Sequence, residues 1–314
     1  MLPWIGLGKR HLDLEFTAPW GARVRILERP GTWMSEEKRE ATLADLRTVV
    51  SSSIRDGALD YGVLTGDRER WDNCILTLIY APEDGRPVAF NALSIMGCAL
   101  RGKPVEVIHL GLVMIDPSYR ARGLSSVLYG LTCFLILARR QMRPLWVSNV
   151  TQVPAVFGMV GENFANAYPN IRAGTRRSFD HLALAREIME KHRGVFGVAK
   201  EAGFDEARFV ITNSYTGGSD NLKKTYESTA KHRRDEYNDA CRAALDYARG
   251  DDFLQLAQFD LGAAKTYFLG SRSHLSPGFL LSRFAFLLLE SWLLPVIHWF
   301  TPKQPMGELR PWRS

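Results

Sequence analysis

The stretch from residue 105 to residue 142 constrains this chain more than any other. Residues 105–115 read as an apolar strand. A polar turn over 116–123 follows, punctuated by Pro117 and Gly123. From Leu124 the apolar positions change to helical spacing, at Leu124, Val127, Leu128, Leu131, Phe134, Leu135 and Ala138, and Pro144 stops the run. A strand that passes through a tight glycine turn into a long helix needs a sheet to join and a sheet face to cover.

The flanking pattern supplies that sheet. Residues 22–27 alternate apolar and basic, as a first strand does. Ser35 stands where a helix cap is expected, with Glu36 and Glu37 in the first turn and Leu43, Leu46 and Val50 on one face, and this helix should end near Gly57. Residues 74–80 and 87–96 read as strands joined by an Asp84-Gly85 turn, and residues 102–104 make a second turn. After the long helix come a short strand over 145–149 and a short helix over 155–164. Hairpins mixed with a strand-helix-strand unit predict an α/β (α+β) mixed-sheet sandwich, not a doubly wound dinucleotide fold. Past Pro169 the pattern weakens, with helices expected over 179–192 and 233–249 and strands over 208–213 and 253–260. The expected division is an N-terminal arm (1–21), a central domain (22–168), an extension completing or flanking the sheet (169–275) and an apolar tail (276–314).

Charge narrows the partners. The net charge of +6 and pI near 9.2 favour acidic ligands. No Lys/Arg block is interleaved with aromatics, so nucleic acid is not an expected partner. Cys74, Cys98, Cys133 and Cys241 lack metal-ligand spacing, so no metal is expected, and they read as reduced core thiols. Residues 1–20 show no signal-peptide pattern, and a cytoplasmic protein is expected.

The chemistry-bearing residues are Arg120, Ala121, Arg122, Gly123, Leu124 and Ser125. The first amides of a helix lack intrahelical partners and sit at the positive end of its dipole, which makes an anion site. Gly123 lets the backbone approach a ligand, and two arginines add charge. The fitting ligand is a pyrophosphate. A Walker-type loop is excluded because no Gly-Lys-Ser/Thr follows.

In Arg120-x-x-Gly123-x-Ser125, after a strand ending in an Asp-Pro-x-Tyr turn, the chain resembles the GNAT superfamily of acyl-CoA-dependent N-acyltransferases. The family pattern has Gly or Ala where Ser125 stands. The resemblance covers roughly residues 22–165. It implies an acyl-CoA cosubstrate lying along residues 120–125. The pantetheine arm would pass between two splayed strands, one ending near Ile115 and one near Asn149. Family members use a base on the strand before the loop, and the polar candidates there are His109 and, three residues earlier, Glu106. Their odd separation puts them on opposite faces of a regular strand, so one of the two faces the cleft. The family's acid is a Tyr in Asn-x-x-Ala-x-x-x-Tyr. Asn149 is followed here by Pro154, Ala155 and Phe157 with no tyrosine in that register, which leaves Tyr168 and Tyr129 as candidates by residue type. Asn149 and Ser148 could orient cofactor or amine. A competing mechanism has Cys98 or Cys133 as nucleophile, although neither lies at a recognisable nucleophile turn.

The most apolar segment is 279–300. Arg283, Glu290 and His298 interrupt it, Pro295 would kink it, and Trp292, Trp299 and Phe300 crowd its end. This composition predicts a helix pair lying on a membrane surface rather than crossing it. With the large extension, the layout resembles the lipid-modifying GNAT-like enzymes of bacteria such as ceramide synthases. That implies a long-chain acyl-CoA, a sphingoid-like lipid amine and peripheral membrane contact. The alternatives are a soluble acetyl-CoA-dependent acetyltransferase acting on a small amine or protein, and a non-catalytic acyl-CoA-binding scaffold.

Overall fold

A computed structural model describes residues 10–270 apart from 19, 55–58, 60, 121 and 218, together with Val296. In chain order the elements are β1 (Asp13–Thr17), β2 (Arg23–Glu28), α1 (Glu36–Ser53), α2 (Arg68–Asp72), β3 (Cys74–Tyr80), β4 (Pro87–Leu100), β5 (Lys103–His109), β6 (Val113–Ile115) and α3 (Thr132–Arg139). They continue with β7 (Leu145–Thr151), α4 (Pro154–Asn163), β8 (Ala165–Tyr168), α5 (Phe179–Glu187), β9 (Gly203–Asp205), β10 (Val210–Thr212), α6 (Asp235–Ala244), β11 (Asp252–Phe259) and α7 (Leu261–Gly270).

The strands form one mixed sheet in the order β1-β2-β3-β4-β5-β7-β11-β10-β9, with β6 also paired to β4 and β8 to β11. Every pairing is antiparallel except β5 with β7. Successive side chains leave opposite faces of the sheet, so strands covered on both sides are apolar throughout. Along β3, Ile75 and Ile79 pack on the α3 side, while Leu76, Leu78 and Tyr80 pack with Leu46, Val49 and Val50 of α1. A third cluster joins Met96, Val107 and Leu256 to Leu184 and Ile188 at α5. The result is the mixed α/β layering expected from sequence.

The hairpin between β3 and β4 forms around Gly85, as its turn residues predict. Three expectations need correction. The strand expected over 105–115 is two strands separated by a break. The helix expected over 124–142 starts at Leu124 as expected, but it widens over Ser126–Leu131, is α-helical again from Thr132 and ends at Arg139. Residues 13–17, expected within a covering arm, are the edge strand β1. Ser35 occupies its cap position without a side-chain hydrogen bond. Residues after 169 contribute β9, β10 and β11 to the same sheet. The apolar tail beyond residue 275 lies outside the described residues, Val296 excepted. Among the described residues, no helix is long and apolar enough to cross a membrane.

Candidate functional site

The site begins with one extra residue. Ser94 of β4 pairs with His109, and Asn91 pairs with Val113. Two residues of β4, Ala92 and Leu93, therefore face three on the other strand, Leu110, Gly111 and Leu112: a β-bulge. Gly111 is required there, because a Cβ on it would lie 2.5 Å from the Ala92 carbonyl oxygen. The bulge ends the β5–β7 pairing. The parallel ladder runs through Val107, Ile108 and His109 opposite Trp146, Val147 and Ser148, and its last contact is the Leu110 N–H donating to the Ser148 carbonyl at 2.7 Å. Beyond this point β6 stays with β4, while Asn149, Val150 and Thr151 pair with β11 alone. The sheet forks.

A cavity of about 370 Å³ opens in the fork. His109, Gly111 and Met114 line it from one prong and Asn149 to Val153 from the other, with Tyr61, Tyr129, Tyr215 and Asp252 closing it. His109 is 3 % exposed, its Nδ1 lies 3.0 Å from the Ser148 Oγ, and its ring is 4.9 Å from that of Phe196. Burial lowers the imidazole pKa to about 3, so His109 is neutral at physiological pH. Such an imidazole is a weak base and serves better as a hydrogen-bond partner.

Asp252 has the opposite character. Burial raises its carboxyl to about 7; hydrogen bonds from the Ser214 and Tyr215 hydroxyls oppose the rise, and the charge of Asp251 adds to it. The Tyr215 hydroxyl donates to Asp252 Oδ1 at 3.1 Å and receives the Gln152 Nε2 hydrogen at 2.5 Å. Gln152 Oε1 is buried and has no hydrogen-bond partner among the described residues, so an acceptor is left for an incoming N–H. Asn149 also lines the cavity, with its amide N–H donating to Gln255 Oε1 at 3.0 Å. Burial, and for Tyr61 and Tyr215 the nearby Asp252 charge, raises the phenol pKa of Tyr61, Tyr129 and Tyr215, so all three keep their protons.

Tyr129 reaches the cavity because of the wide turn at Ser126–Leu131. The Asn91 side-chain amide donates to the Leu128 carbonyl, and the Thr132 hydroxyl donates to the Val127 carbonyl five residues back at 3.3 Å and lies 2.7 Å from the Thr77 hydroxyl. These buried side chains take carbonyls that an α-helix would use internally, and the turn widens.

The loop leading into that turn is held on its strand side. Asp116 accepts the Ser118 N–H at 2.9 Å and hydroxyl at 2.6 Å, and pairs with Arg86 at 2.8 Å; these bonds hold its carboxyl at about 2. The Arg120 Nε donates to the Ile115 carbonyl at 3.4 Å, and the Arg122 guanidinium lies 4.5 Å from the centre of the Tyr119 ring. Arg120, Arg122, Gly123 and Ser125 are exposed, whereas Leu124 is buried beneath them. Gly123 has φ +73° and open space where a Cβ would stand. The described part of the loop therefore presents two arginines and a glycine to solvent, next to the prong carrying β6. Ala121 lies outside the described residues.

Two expected residues lie elsewhere. Glu106 faces away from the cavity, as its odd offset from His109 requires, and is paired with Arg29 at 2.8 Å and with Arg140 beyond α3. Both of its carboxylate oxygens are taken up by guanidinium partners outside the cavity. Tyr168 packs against Phe209, ring centres 4.9 Å apart, in the α5-side core and does not line the cavity. The cysteine alternative meets a similar objection: burial pushes Cys98 up to about 11 and Cys133 up to about 12, so both remain thiols. Asp252, Tyr215, Gln152 and Tyr61 were not anticipated; the available signals were Gly111 inside an apolar strand and the acidic pair that opens β11.

No protein-family model matches the chain, and neither does any curated protein. Solved structures do. An acetyltransferase from Trypanosoma brucei is 23% identical over 38% of this chain and 76% of its own, with a TM-score of 0.28. An aminoglycoside antibiotic 6'-N-acetyltransferase from Acinetobacter baumannii is 17% identical over 38% and 73%, with a TM-score of 0.25. The ribosomal-protein-S5-alanine acetyltransferase from Vibrio fischeri is 11% identical over 43% and 74%, with a TM-score of 0.28. These likenesses are distant, and the site described above rests on none of them.

Proposed function

We propose that this protein is a GNAT-type N-acyltransferase that moves an acyl group from acyl-CoA to an amine by direct attack, with Asp252 as general base. The observation that carries this reading is the fork: a cavity opens where β5 and β7 part, it ends in a buried carboxyl near 7, and an exposed Arg-x-x-Gly loop lies alongside. The pyrophosphate of acyl-CoA would rest on residues 120–125, and the pantetheine would run along β6 into the fork.

The amine nitrogen attacks the thioester carbonyl, the new C–N bond forms and the C–S bond breaks. Asp252 takes the amine proton, since a carboxylate that titrates near 7 is half ionised at neutral pH. The departing thiolate receives a proton through Tyr129, which lines the same cavity from the helix following the loop. His109 and Gln152 orient the nitrogen. The test is product formation from mixed acyl-CoAs and an amine panel, read by mass spectrometry. Asp252→Asn should abolish product while leaving acyl-CoA binding intact. Full turnover by that variant would remove the proposed base.

The finer reading is a long-chain donor and a sphingoid-like amine at a membrane surface. Its support is the composition of residues 276–314 and the length of the extension. It predicts that turnover increases from acetyl- to palmitoyl-CoA and that anionic vesicles bind the full chain. A preference for acetyl-CoA would favour the small-amine alternative.

A further inference from the structure

The fork cavity has a neighbour. A second cavity of about 350 Å³ shares Gly62, Val63, Ser94 and Val195 with it, so the two meet at a common wall. The new lining includes Arg70 of α2, and Lys191 and His192 of the turn after α5. Three of the polar side chains there are already engaged. Lys191 pairs with Glu187 at 2.9 Å, the His192 Nε2–H donates to the Gly97 carbonyl at 2.9 Å, and Asn73 accepts from Arg29 at 2.9 Å. Arg70 is not: half-buried, it has no ion-pair or hydrogen-bond partner for its side chain among the described residues, and the same holds for the Ser94 hydroxyl and the Glu69 carboxylate. Glu69, the one carboxylate in this lining, is exposed.

A guanidinium without a partner in a polar cavity is suited to an anion, which it can grip through two parallel N–H groups. The carboxylate of Asp252 lies in the adjoining cavity and attracts an ammonium. The two charges suit the two ends of one zwitterion.

We infer that the second cavity is the acceptor subsite, and that it takes a primary amine whose far end carries a carboxylate or a phosphate, held by Arg70. This rests on the acyltransferase reading above and adds the acceptor's chemical class. Much of the subsite comes from the extension after residue 169, through Lys191, His192, Gly194 and Val195.

The experiment uses the full chain with ω-aminoalkanoates of increasing length, their neutral primary amides, and ω-aminoalkyl phosphates. With acyl-CoA present, KM for the best anionic acceptor should be about tenfold or more below that of its amide, the size of one charge-assisted pair. Arg70→Gln should erase that gap by weakening the anionic acceptors alone and leave kcat on the amides unchanged. Equal KM values for acid and amide in the native enzyme, or an equal loss on both in the variant, would overturn the inference. The carboxylate and phosphate series show which anion is preferred. If no acceptor turns over, the acyltransferase reading fails, and the subsite is judged separately by calorimetry: an aminoalkanoate that binds the native chain and not Arg70→Gln sustains it, and one that binds neither or both overturns it.

Discussion

The exposed loop at 120–125 and the forked cavity beside it are built in opposite ways. The loop is contiguous in sequence, and Arg120, Arg122, Gly123 and Ser125 in it are exposed. The cavity is assembled from residues as distant as Tyr61, His109, Tyr129, Tyr215 and Asp252, with His109 and Asp252 buried and the three tyrosines half-buried. A loop of the first kind holds a ligand by charges that water and salt weaken. A cavity of the second kind shifts proton affinities, since burial penalises whichever form is charged. The loop is suited to binding and the cavity to chemistry, and variants should separate the two.

The largest effect is expected at Asp252. Its Asn variant should lose about 100-fold or more in kcat. The rise of kcat/KM through about pH 7 in the native enzyme should vanish with it. The same substitution should raise stability at high pH. A carboxyl lifted from 3.8 to about 7 on folding favours the folded state below the lower value and loses that contribution as pH rises through the upper one. Urea unfolding at pH 5 and pH 8 should therefore show Asp252→Asn gaining on the native chain by on the order of 1–4 kcal/mol at the higher pH.

Next is Gly111→Val. It places a side chain against the Ala92 carbonyl and should cost about 1–3 kcal/mol in denaturant unfolding, with loss of activity as the bulge shifts. Tyr129→Phe should lower kcat about tenfold with KM unchanged, if the phenol delivers the thiolate proton. At the loop, replacing Arg120 and Arg122 together by Ala should raise KM for acyl-CoA about tenfold and leave kcat nearly unchanged. That defect should shrink as salt is added. A fall in kcat instead would mean that the loop shares in the chemistry. The smallest effects belong to Glu106→Gln and Tyr168→Phe, which should leave kcat and its pH profile in place and alter only thermal stability.

This contrast also explains what the sequence reveals. The β3–β4 hairpin and β11 are read correctly because each rests on local periodicity or a turn residue. Short edge strands such as β1 and β9 carry too few residues for a pattern. The bulge escapes because residues 105–115 are apolar on both sides of Gly111, and only the glycine marks the break. His109 is placed in the cavity as one of the two opposed candidates, but its basicity is a property of burial and is not written in residue type. Asp252 stands about a hundred residues beyond β7, and only the sheet order brings it beside the fork. Tyr168 illustrates the converse: a tyrosine suitable by type is held in an aromatic cluster.

That sheet order has a consequence for how the chain is made. β7 leaves the ribosome with β5 ready on one side, while its other partner, β11, follows only after roughly a hundred more residues. For that interval a nearly all-buried strand, Leu145–Thr151, has an open edge of amides and carbonyls. Nascent chains halted between these two strands should be the species most prone to pair with one another, and chaperone occupancy should peak there.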